Sequence, residues 1–270
     1  MKYDLHVHSI ITDGKHSRKD IINYAISNDL KYISFTEHNN YQEIISNDIE
    51  IINGIEFDVR DDFSFHVLCY FPELTNYIND ILIKYKLNTS KSTEELVTKI
   101  KEKYDMDFNF NFENIPGKNG YKTKRDVINW LINNGYALTP DDASKKYTGK
   151  SAISYVPKYS LNYDEVVNSI HKSGGVVILA HPDSLKLNND ELDKFVYKLK
   201  SKGLDGIEVF NSSKNANNNE LYYLYLADKY NLITTSGSDF HDISKHQLGV
   251  ENNYSDELFD IINKSKKNSK

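Results

Sequence analysis

Apolar and polar residues alternate at the start of the chain, with Tyr3, Leu5 and Val7 set against Asp4, His6 and His8. A period of two predicts a strand whose apolar face enters a core while His6 and His8 leave together on the other side. The spacing then turns helical: Ile21, Ile22, Ala25 and Ile26 follow Ser17, a good N-cap, and predict a helix to about residue 29. Apolar runs bounded by turn residues predict further strands over 32–36, 51–56, 63–70, 176–180, 206–210 and 232–236. Helical periods fill 163–172, 190–202 and 218–230, and a Gly174-Gly175 pair stops the first of these. Between 72 and 157 the strand signals vanish, and helices are predicted over 75–86, 93–104 and 123–134. This predicts an α/β domain made of 1–71 and 158–270, interrupted by an inserted helical cap over 72–157. Repeated strand-helix units imply a parallel sheet, and functional groups at several strand ends favour a closed barrel over an open sheet.

Composition narrows the function. Thirty-three basic against 39 acidic residues give a net charge of −6, which excludes a broad electrostatic grip on long nucleic acid but leaves room for a local phosphate pocket. Cys69 is the only cysteine, so no intrachain disulfide forms, and its apolar surroundings predict a buried thiol suited to a reducing cytoplasm. No apolar run reaches the roughly 18 residues of a membrane span, and a first strand beginning near Lys2 leaves no room for a signal peptide. The expectation is a cytoplasmic protein with no membrane contact and no obligate protein partner. No strand is followed by the glycine-rich phosphate loop of a Rossmann or P-loop fold.

The chemistry lies in residues that follow the predicted strands. His6 and His8, then Asp13, His38, Glu56, His66, His181, Asp239 and His241 supply nine nitrogen and oxygen donors. Neutral imidazole suits divalent transition metals, and a carboxylate adds a hard oxygen donor to the same spot. A glutamate among apolar neighbours, as at Glu56, is costly without a partner, and a metal supplies one. Four ligands saturate one zinc, so nine donors fit two or three metals. His16, His171 and His246 are read as structural or solvated. Arg125 is one of three arginines in a lysine-rich chain, which suggests bidentate phosphate recognition, with a solvated helix face as the competing reading.

With His6-Val7-His8, Asp13, Thr36-Glu37-His38, Gly54-Ile55-Glu56, His66, Ala180-His181-Pro182 and Gly237-Ser238-Asp239-Phe240-His241 in order, the chain resembles the PHP (polymerase and histidinol phosphatase) superfamily from residue 2 to about 250. The resemblance implies a distorted (β/α)7 barrel of TIM type. It also implies two or three divalent metals, manganese first and iron or zinc as alternatives, and hydrolysis of phosphoesters by a hydroxide bridging two metals. His181, Asp239 and Glu56 are then catalytic as well as metal-binding, with His181 a candidate for the acid that protonates the leaving group.

Within the superfamily the chain is similar to the branch of nucleoside 3',5'-bisphosphate phosphatases and short-oligonucleotide 5' exoribonucleases, which carry a helical insert. The Arg125 helix and the segments 145–150, 155–157 and 170–175 carry that likeness. It implies a small phosphorylated substrate, a nucleotide, touched by Arg125, Lys150 and Ser212. Two positions depart from the family: Glu37 stands where Asp is often found, and Phe210-Asn211-Ser212-Ser213 stands where a loop bearing Tyr and His is often found. The alternatives are a histidinol-phosphate phosphatase, or a non-catalytic scaffold, which would lack donors that this chain retains.

Overall fold

The computed structural model describes residues 2–108, 121–211, 219–245, 247–250 and 257–259. In chain order the elements are β1 (Lys2–Val7), α1 (Arg18–Ser27), β2 (Leu30–Phe35), β3 (Glu50–Ile51), β4 (Gly54–Arg60), β5 (Ser64–Tyr70), α2 (Asn76–Tyr104), α3 (Lys124–Asn133), α4 (Pro140–Ala143), β6 (Leu161–Asn162), α5 (Tyr163–Lys172), β7 (Val176–Leu179), α6 (Asn189–Ser201), β8 (Gly206–Asn211), α7 (Glu220–Tyr230) and β9 (Ile233–Gly237). Among the described residues no helix is long and apolar enough to cross a membrane.

The strands form two sheets, β1-β2-β3 and β6-β4-β5-β7-β8-β9. Single bridges link them at both margins, Val7 to Phe240 on one side and His38 to Glu56 on the other. The expected parallel sheet is instead mixed, because β5 runs antiparallel to both β4 and β7. Residues 61–63 alone join β4 to β5, with the Asp61 N–H donating to the Phe63 carbonyl at 3.1 Å, and so short a link leaves no room for a crossover helix.

The expected single strand over 51–56 is also corrected. The chain leaves the first sheet at Ile51 and pairs again from Gly54, so Glu56 lies inside β4 opposite Leu68 and not at a strand end. Asn53 fixes the change of sheet: its side chain accepts from the Tyr41 hydroxyl and donates to the Pro72 carbonyl, both at 3.0 Å.

The chain divides into two compact units, Met1–Ile81 with Leu161–Lys270, and Leu82–Ser160. In the first, Tyr3, Leu5, Leu68, Tyr70, Ile178 and Ala180 join one buried cluster, and Val7, Ile21, Ile33, Phe35 and Phe240 join another. Helix α5 buries Tyr163, Val166, Val167 and Ile170, each worth roughly 1.5–3 kcal/mol against exposure. Asn162 caps it by accepting from the Asp164 and Glu165 amides.

In the second unit Leu96, Ile100, Val127, Leu131 and Ala143 pack together. Helix α3 starts in a capping box, Thr123 and Asp126 each accepting from the other's backbone. The helices expected over 75–86 and 93–104 are one 29-residue helix, α2. Residues 87–92 contain neither Gly nor Pro to end it, and the Thr93 hydroxyl turns back onto the Thr89 carbonyl at 2.7 Å.

Candidate metal centre

Strands β1, β4 and β5 and the loops that follow β1, β2, β7 and β9 bring the nine donors together in the first unit. β1 delivers His6 and His8, both fully buried with ring centroids 5.2 Å apart. Gly14 lets the chain fold back on them, since a Cβ there would lie 2.4 Å from the His8 carbonyl oxygen. The turn just before it carries Asp13. Gly237 does the same for β9, because its Cβ would lie 2.6 Å from the His6 nitrogen. Beyond it Asp239 and His241 turn inward.

Glu56 is the hub. Its carboxylate lies 2.8 Å from His66 Nδ1, 2.9 Å from His38 Nδ1, 2.9 Å from His181 Nε2, 3.3 Å from His8 Nε2 and 3.5 Å from His6 Nε2. Asp239 sits 3.4 Å from both His6 Nε2 and His8 Nε2. Asp13 lies 3.4 Å from His38 Nε2 and from His241 Nε2.

The carboxylates and imidazoles of the centre shift one another's protonation. Burial works against a charged His38, yet the facing Glu56 and Asp13 carboxylates carry it up to about 11. Burial opposes charge on His66 too, and Glu56 and Asp58 raise it to about 9. His8 goes the other way, because burial and the neighbouring His6 and His38 outweigh its carboxylates. Burial would raise the Glu56, Asp13 and Asp239 carboxyls, but the surrounding imidazoles hold all three well below the ordinary range.

This donor set fits metal ions. His6 Nε2, both nitrogens of His8, His38 Nδ1, Asp13 Oδ1 and Glu56 Oε2 are buried without a hydrogen-bond partner among the described residues. Buried polar atoms in that state cost free energy, and a cation would satisfy the lone pairs among them. Three groups have ligand atoms within 4.8 Å of one another: His8, Asp13, His38 and His241; His6, His8 and Glu56; and His38, Glu56 and His66. They share members, so the centre is continuous.

The other expected contacts are not part of this cluster as described. Arg125 lies exposed on α3, and Lys150 is exposed in a turn after a short π-helical stretch over 144–148. Both belong to the second compact unit. Ser212 lies outside the described residues.

Four carboxylates around the centre were not among the expected donors. Asp4 accepts from the Ser238 and Gly249 amides at 2.9 and 2.8 Å, tying β1 to the segment after β9. Glu37, completely buried, accepts from the Ser9 amide and hydroxyl, from Thr12 at 2.5 Å and from Arg18 Nε at 3.3 Å, and so anchors the turn that carries Asp13. Asp58 lies 2.7 Å from His66 Nε2. Glu208 lies 2.9 Å from His6 Nδ1. A signal for the last was present, because Gly-Ile-Glu occurs twice, at 54–56 and at 206–208.

The PHP domain family matches residues 4–265. The 5'-3' exoribonuclease Rnm of Escherichia coli is 23% identical over 249 residues, 88% of this chain and 85% of that protein. The 3',5'-nucleoside bisphosphate phosphatase of Chromobacterium violaceum is 26% identical over 111 residues, 41% of this chain and 39% of that protein. A solved structure from Bifidobacterium adolescentis, provisionally named a metal-dependent phosphoesterase, superposes with a TM-score of 0.70 at 22% identity, covering 96% of this chain and 94% of its own.

Proposed function

This chain belongs to the PHP domain family, and we infer from that membership and from its carboxylate-histidine centre that it is a metal-dependent phosphoesterase acting on small nucleotides. The observation that carries the reading is Glu56, a fully buried carboxylate with five histidine nitrogens within 3.5 Å. A group so placed has no use in packing alone and every use in holding cations. We read the two linked sheets as a distorted (β/α)7 barrel, and the helical insert expected over 72–157 as the source of phosphate contacts from Arg125 and Lys150. Ser212 is a third candidate contact.

His6, His8, Asp13, His38, Glu56, His66, His181, Asp239 and His241 would hold two or three divalent ions, manganese first and iron or zinc as alternatives. Such ions would supply Lewis acidity toward phosphoryl oxygens and make water a competent nucleophile near neutral pH. Glu56 and Asp239, touching most of the imidazoles, set the spacing of the donors. His181 falls outside the three tight donor groups, so the role of acid competes there with that of ligand, and its Nδ1 lies 2.9 Å from Ser184 Oγ. That contact steadies the ring as the candidate donor of a proton to the leaving oxygen.

A cavity of about 270 Å³ lined by Phe63, Ser64, Phe65, Ser184 and Leu185 opens beside His66 and His181. It offers a partly aromatic wall to the organic half of a small substrate. The names of the relatives, an exoribonuclease and a bisphosphate phosphatase, support nucleotides as the substrate class.

The test is a substrate screen on manganese-loaded protein with metal content measured in the same sample. Nucleoside 3',5'-bisphosphates and 5'-phosphorylated dinucleotides should turn over fastest. Faster hydrolysis of histidinol phosphate would overturn the substrate class, and a loaded protein inert to every phosphoester would overturn the activity.

A further inference from the structure

Glu208 sits behind the metal centre on β8 and is buried to 1% exposure. Its Oε1 lies 2.9 Å from His6 Nδ1. Its Oε2 accepts from the His181 N–H at 2.6 Å and from Asn211 Nδ2 at 3.1 Å. Two N–H donors on Oε2 mark this carboxylate as an acceptor, and Oε1 accepts likewise from a hydrogen on the His6 ring. His6 must therefore carry a proton on Nδ1, and in the neutral ring that leaves the lone pair on Nε2. Nε2 is the atom that faces Glu56 and Asp239, buried and without a hydrogen-bond partner among the described residues.

The second oxygen acts on a strained residue. His181 has φ 27° and ψ 68°, a conformation that costs a side-chain-bearing residue on the order of 1–3 kcal/mol and persists only where its surroundings hold it. The bond from its N–H to Glu208 is one such restraint. A single carboxylate thus sets the ring of His6 on β1 and the backbone of His181 after β7.

We propose that Glu208 is a positioning residue of the metal centre: it holds His6 in the tautomer that turns its Nε2 lone pair to the metal and fixes the backbone that carries His181. Carboxylates behind ligating histidines commonly orient the ring in this way. The inference rests on the metal-dependent reading above, and its test separates the two.

Zinc affinity is measured by competition with a chelator for the wild type, Glu208→Gln and Glu208→Asp, with circular dichroism and thermal unfolding on each. Glutamine keeps the shape but has one acceptor where three donors converge, so either His6 or the His181 N–H loses its partner. Glu208→Gln should stay folded and bind zinc about 10–100-fold more weakly, and Glu208→Asp, which keeps both acceptors, should recover part of that loss. A folded Glu208→Gln with wild-type affinity would overturn the proposal while leaving the metal centre standing. A wild type that binds no zinc would overturn the metal reading, and this one with it.

Should Glu208→Gln fail to fold, the zinc-loaded wild type decides. Histidine 15N spectra, with His6 identified by its loss in His6→Gln, should show a proton on Nδ1 and zinc at Nε2. Zinc at Nδ1 of His6 would refute the assignment.

Discussion

Asp239 has a positive backbone φ of 53° and holds its carboxylate 3.4 Å from both His6 and His8. Asparagine tolerates the left-handed region at least as well as aspartate does. Asp239→Asn should therefore keep the fold while removing a charged donor. We expect at least one metal ion per chain to be lost and kcat/KM to fall about a hundredfold or more, some 2.7 kcal/mol of transition-state stabilisation. Metal analysis beside steady-state kinetics checks it, and full activity at wild-type metal content would remove Asp239 from the donor set. His8→Ala should do the same, since buried His8 sets its Nε2 3.3 Å from Glu56 and 3.4 Å from Asp239.

Elements are tied to one another by a few polar contacts whose strength follows pH. His171 on α5 lies 2.7 Å from Asp205 Oδ2, and the same oxygen accepts from the Val177 N–H at 2.8 Å. The bond to Asp205 raises the imidazole above its ordinary value, with partial burial working against it. A histidine raised on folding contributes stability that is complete below its unfolded value, near 6.5, and is lost as pH climbs through the folded one. The difference in Tm between wild type and His171→Asn should therefore be largest near pH 6 and shrink as pH rises to 9. A difference that grows over that range would show that the charged ring does not stabilise the joint.

At the scale of the whole molecule, cation binding and folding are linked. Ions that bind the folded centre and not the unfolded chain stabilise by about 2.7 kcal/mol at a hundred times Kd. For a chain of this size that corresponds to roughly 5–10 °C in Tm. Stripping the loaded protein with a chelator should lower Tm by about that amount, and an unchanged Tm would argue against a metal at the centre. The net charge of −6 gives little grip on long polyanions, so affinity for a small substrate must come from a few contacts. If Arg125 forks onto the phosphate that is not cleaved, Arg125→Ala should cost bisphosphates about ten- to a hundredfold in kcat/KM and leave a monophosphate probe nearly unaffected. Equal losses on the two substrates would refute that role.

The alternation of Tyr3, Leu5 and Val7 with His6 and His8, the cap at Ser17, and the recurrence of histidines and carboxylates in and after the strands were legible along the chain, because each depends on local periods and side-chain chemistry. What escaped depends on partners distant in sequence. The antiparallel course of β5, the place of Glu56 inside β4 and the fusion of α2 follow from how the chain pairs and packs, which a period cannot encode. Glu208 is marked in sequence only by the second Gly-Ile-Glu, which does not say what it faces. It becomes informative only when folding sets it 2.9 Å from a ring 202 residues away, since whether a buried charge is a cost or a tool depends on what faces it.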